Sequence, residues 1–119
     1  MIYQADVRVE NVTKKYIGSA GNTFKERYYG HTSNLEHENT NGTTLSSYVW
    51  AKRNKGKMPK ITWNIKAKTS VYSAGAKFCD CCLTEKTLIM LSNPLEYLNQ
   101  RTEILNKCRH MAKFTLDKI

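Results

Sequence analysis

The sequence predicts an α+β domain, a small three-stranded and mainly antiparallel sheet flanked by helices. Two segments of alternating apolar and polar residues meet at an early turn, and a third such segment, Ile61 to Ile65, follows later. Between and after them lie stretches with helical spacing, separated by polar loops. The chain has 119 residues, 40% of them hydrophobic, enough for a single domain over 1–119 with one small core.

The elements follow in order. Tyr3, Ala5, Val7 and Val9 alternate with Gln4, Asp6 and Arg8, the period of a half-buried strand. A Glu10-Asn11 turn leads into a second strand, Val12 to Gly18. A tight two-residue turn places Tyr3 opposite Gly18 and Ala5 opposite Tyr16, so both tyrosines project from one face. Gly18, having no side chain, leaves space beside the Tyr3 ring. Asn22 is placed to cap a helix from about Thr23 to at least His31, on which Phe24 and Tyr28 share a face, as do Arg27 and His31. Residues 36–43 form a polar loop. Leu45, Tyr48, Val49 and Trp50 indicate a second helix, capped by Thr44, and 54–59 a basic linker. Ile61, Trp63 and Ile65 alternate with Thr62 and Asn64 in the third strand. Leu83 to Leu91 reads as an apolar helix stopped at Asn93-Pro94, and Gln100 to Lys107 as a last helix with Ile104 and Leu105 to pack. Phe24, Tyr28, Tyr48, Trp50 and Trp63 are expected as packing residues.

Charge narrows the function classes. Lys and Arg number 19 against 10 Asp and Glu, a net of +9, which favours a polyanionic partner, nucleic acid or an anionic membrane. The excess is local: residues 1–50 are balanced, whereas 51–77 carry Lys52, Arg53, Lys55, Lys57, Lys60, Lys66, Lys68 and Lys77 and no acid. That strip is either a solvated face or a surface that neutralises phosphates and releases counterions. It has no amphipathic helical pattern, which argues against membrane-surface binding. No run approaches the ~18 apolar residues of a membrane span, and the N-terminus lacks the order of a signal peptide, so an intracellular protein of cytoplasm or nucleus is expected.

The segments IYQA, KKYIG and FKERYYGH, then TTLSSYVWAKR, ITWNI, CLTEK and LNQRTEILNKCRHMAKF, together resemble the GIY-YIG endonuclease family. The similarity runs in order along almost the whole chain and is nearest to the compact members associated with retroelements of animals. Met1 stands where the family's motif has its first glycine, a backbone position, which is consistent with a domain taken from a longer polyprotein.

The resemblance implies a GIY-YIG nuclease fold and metal-dependent hydrolysis of DNA by one in-line step that leaves a 3′-hydroxyl. It implies Tyr3 as the base, Tyr16 as a positioning or stabilising partner, and Asn99 as a group that orders the far side of the site. The chemistry of the remaining residues fits. Arg27 offers a permanently charged planar fork for phosphate oxygens. Glu85 suits one Mg²⁺ or Mn²⁺ on the leaving side. His31, one turn from Arg27, can bind phosphate or carry a proton. Singly, each of these residues also fits a purely structural role; their joint occurrence points to a site. The implied context is mobile-element integration, with DNA as substrate, Lys52, Arg53, Lys55, Lys57 and Lys60 on its backbone, and a reverse transcriptase of the same element as partner.

The Cys/His cluster within 79–110 is a separate matter. Cys79 and Cys82 have the spacing of two thiolates on one metal, and Cys108 and His110 would complete a structural Zn²⁺ site. Buried free thiols are the alternative. A non-catalytic, zinc-stabilised nucleic-acid-binding module, a decayed nuclease, is the competing functional expectation.

Overall fold

The computed structural model describes residues 1–20, 24–37, 43–69, 79–100 and 103–104. Among them the order is β1 (Ile2–Val9), β2 (Val12–Ser19), α1 (Lys25–Glu36), α2 (Thr44–Arg53), β3 (Lys60–Ala67) and α3 (Asp80–Leu91). The strands form one antiparallel sheet in the order β2-β1-β3. The α+β class and the sheet are those the sequence predicts.

The hairpin has the expected register, Tyr3 opposite Gly18 and Ala5 opposite Tyr16, closed by a two-residue turn between Val9 and Val12. Glu10 takes a positive φ of 55° in that turn, a conformation that ordinarily suits Asn or Gly. β1 is buried on both faces over its first half rather than on one. It is the central strand, and helices cover both sides. Tyr3, Ala5, Val7, Val9 and Tyr16 pack with Leu45 and Val49 of α2 on one side. Ile2 and Ile17 pack with Cys81, Cys82 and Ile89 of α3 on the other. Each fully buried aliphatic side chain contributes about 1.5–3 kcal/mol. Gln4 tolerates burial because its Nε2 donates to Asp6 Oδ1 at 2.8 Å and its Oε1 accepts from Tyr97 at 3.4 Å.

Several boundaries differ from expectation. α1 starts at Lys25 with Phe24 in the N-cap position and no side-chain cap; Asn22 and Thr23 lie outside the described residues. α2 is capped one residue earlier than expected, Thr43 Oγ1 accepting from Ser46 N. β3 is longer than Ile61–Ile65 at both ends, because its pairing with β1 continues from Arg8 to Ile2. α3 begins at Asp80 rather than Leu83, burying Cys82, Lys86 and Ile89 at helical spacing. Of the expected last helix, Gln100 to Lys107, only Gln100 and residues 103–104 are described.

β2 would be an open edge, but residues 96–99 cover it. Lys15 N donates to Glu96 O at 2.8 Å, and Leu98 N donates to Lys15 O at 2.7 Å. No described helix is long and apolar enough to cross a membrane.

Candidate active site

The site is set by the sheet register. Because Tyr3 faces Gly18, its ring crosses β2 where no Cβ intervenes: a Cβ built on Gly18 would lie 2.3 Å from both Cζ and Oη of Tyr3. The phenol therefore extends along the α1 side of the sheet. There its Oη shares a 2.6 Å hydrogen bond with His31 Nε2, and Arg27 Nη2 donates to the same oxygen at 3.5 Å. Arg27 and His31 reach one atom because they stand four apart on α1. Tyr3 and His31 are 1% and 2% exposed. Arg27 Nε is buried and meets no acceptor among the described residues.

Tyr16 joins the cluster edge-on, its ring centroid 6.0 Å from that of His31. Its phenol is pushed well above its ordinary range, first by burial and then by the negative partners Tyr3, Glu103 and Glu85, with Arg27 opposing. Tyr16 is thus a protonated donor at neutral pH, while Tyr3 shares its oxygen with a base. The same influence puts Glu85 of α3 and the guanidinium of Arg27 in electrostatic reach of one phenol, although α3 packs on the opposite face of the sheet.

Asn99 is 8% exposed and holds β2 beside Tyr16. Its Oδ1 accepts from Ile17 N at 2.7 Å and its Nδ2 donates to Ile17 O at 2.8 Å. Nδ2 also donates to Glu103 Oε2 at 2.9 Å, and Glu103 Oε1 accepts from Gln100 N at 3.2 Å. Glu103 was not anticipated, though its i+4 spacing from Asn99 is a visible signal.

The 52–60 part of the basic strip is not brought to this centre. Lys60 pairs with Arg8 and Ile65 with Tyr3, so Lys60 stands about 17 Å from the site end of β3 at ~3.4 Å per residue. Lys55 and Lys60 are exposed. Lys57 pairs with Glu10 at 3.6 Å. Lys52 lies over Tyr48, and Arg53 over Trp50 while also donating to Leu35 O. Lys77 lies outside the described residues. Tyr28, expected as packing, is 42% exposed although its ring meets Phe24 and Trp63. Tyr48, Trp50 and Trp63 are half-buried rather than core.

Glu85 is half-buried on α3, and a carboxylate is the ligand that a hard divalent ion takes one or two of, completing its shell with waters and phosphate oxygens. Cys79 and Cys82 are buried in the apolar cluster with Ile2 and Ile89. Among the described residues no group of three or more His, Cys, Asp or Glu is arranged to hold a metal, and the expected partners Cys108 and His110 lie outside them.

No protein-family model matches the chain, and neither does any curated protein or solved structure.

Proposed function

We propose that the chain is a metal-dependent DNA endonuclease of GIY-YIG type that hydrolyses phosphodiesters, and that its context is the nicking of target DNA for a mobile element carrying a reverse transcriptase. The observation that supports it best is the convergence of His31 and Arg27 on one phenolic oxygen, with the Tyr16 ring beside His31.

In this reading the phosphate docks against Arg27, whose guanidinium fork suits phosphate oxygens and whose Nε meets no acceptor among the described residues. A water held at Tyr3 Oη gives its proton to that oxygen as Tyr3 passes its own to His31 Nε2, and the hydroxide attacks phosphorus in line. Tyr16, kept protonated, donates to a non-bridging oxygen as charge builds there. Glu85 would hold a Mg²⁺ or Mn²⁺ ion, whose chemistry is to absorb charge on the leaving 3′ oxygen. Lys52, Arg53, Lys55, Lys57 and Lys60 contact flanking phosphates; their distance from the centre suits backbone positioning. A structural Zn²⁺ on Cys79, Cys82, Cys108 and His110 belongs to the same proposal.

The near-complete burial of Tyr3 and His31 favours one rival, a non-catalytic nucleic-acid-binding module. Nicking of supercoiled plasmid in Mg²⁺ separates them. The proposal expects nicking by the chain and none by Glu85→Ala; binding without nicking supports the rival, and equal nicking by both proteins removes Glu85 from the site.

A further inference from the structure

The hydrolytic reading leaves the rings around Tyr3 without a task. Phe24 lies 4.8 Å from Tyr3 between ring centroids, Trp63 5.4 Å from Phe24, and Tyr28 6.0 Å from Trp63. Tyr29 follows 6.2 Å from Tyr28. The rings thus run from the buried phenol to the surface, where Tyr29 is 60% exposed. A cleft of about 70 Å³ opens beside them, lined by Tyr3, Phe24, Trp63, Asn64 and Ile65. Ile65 is 59% exposed, on the same face of β3 as Trp63 and opposite Tyr3. A packing role explains neither an exposed Ile nor exposed Tyr rings in one patch.

We infer that this cleft receives an unpaired nucleobase neighbouring the phosphate held at Arg27. Its volume is far below the roughly 300 Å³ at which small-molecule pockets begin, so it takes one flat ring edge-first rather than a whole ligand. Aromatic walls suit any base, because every base has a π-face, and a base still paired in a duplex is stacked out of their reach. The surroundings are cationic: Arg27 sits on Tyr3, Lys25 Nζ lies 5.9 Å over Tyr29, and Lys66 is exposed next to Ile65. Together with the net charge of +9, this selects a nucleic acid over an apolar peptide. The inference rests on the nucleic-acid part of the proposed function but not on catalysis.

The test measures binding of the full chain, without divalent metal, to three fluorescent DNA hairpins of one sequence: fully paired, with a single unpaired adenine, and with an abasic residue in its place. The expected result is roughly tenfold tighter binding of the adenine bulge than of either control. Tyr28→Ala and Ile65→Ala, both changes at exposed positions, bring the three affinities together, whereas Lys55→Ala weakens all three alike. Equal affinity for the adenine and abasic bulges overturns the inference, since flexibility alone then accounts for the preference. Duplex binding with no bulge preference overturns it while leaving the nucleic-acid reading standing. Failure to bind any hairpin removes both, and a bulge preference in a chain that never nicks plasmid keeps the cleft and removes the nuclease.

Discussion

Gly18→Ala is the most incisive perturbation of the fold around the site. The added Cβ would lie 2.3 Å from Tyr3 Cζ and Oη, whereas ordinary contact begins at 3.4 Å, so one of the two must move by about an ångström. Tyr3 has little freedom to yield, its oxygen being bonded to His31 at 2.6 Å and its ring lying 4.8 Å from Phe24. Overpacking of this kind costs about 1–3 kcal/mol. Displacement of a reacting group by an ångström costs on the order of a hundredfold in rate. Gly30→Ala is the matched control: a Cβ there meets nothing within 4 Å on the exposed side of α1, and replacing a helical Gly by Ala stabilises by about 1 kcal/mol. Urea denaturation should therefore move in opposite directions for the two variants, with plasmid nicking lost only in Gly18→Ala. A Gly18→Ala chain as stable as the parent would refute the packing of phenol on glycine from which the site is built.

Three further outcomes are expected. Asn99→Ala leaves the N–H and C=O of Ile17 without their side-chain partner and should lower unfolding free energy by about 1–3 kcal/mol, read from the denaturation midpoint. Tyr16 is raised above its ordinary 10.0 in the folded chain. The stability it contributes is whole below about pH 10 and is lost as pH climbs toward its folded value, so Tyr16→Phe should flatten the alkaline limb of a midpoint-against-pH curve. Arg27→Lys keeps the charge but loses the fork, and should cut the nicking rate by about a hundredfold while changing DNA affinity by less than about twofold, measured in parallel.

Much of the site was legible because it depends on short-range geometry. Alternation in 3–9 and 12–18 fixed the facing pairs, and with them the space that Gly18 leaves for Tyr3. Spacing of four put Arg27 and His31 on one side of a helix, and both reach Tyr3 Oη. What was missed depends on tertiary placement. How far residues 52–60 stand from the centre follows from pairing Lys60 with Arg8, which one strand's own pattern does not reveal. The first turn of α3 was hidden because Cys79 and Cys82 were read for their metal-ligand spacing rather than for helical periodicity; in the fold Cys79, Cys81 and Cys82 are buried in an apolar cluster. Tyr28 looked like core at i+4 from Phe24, but it closes the outer end of the ring cluster and stays 42% exposed.

The central claim concerns one oxygen atom. Tyr3→Phe keeps the ring against Phe24 and Gly18 and removes only the group that His31 and Arg27 share, so single-turnover nicking of a labelled duplex compared with the parent chain tests it directly. The account predicts that cleavage falls to background while thermal stability and DNA affinity stay close to the parent's. Cleavage by Tyr3→Phe at the parental rate would contradict it.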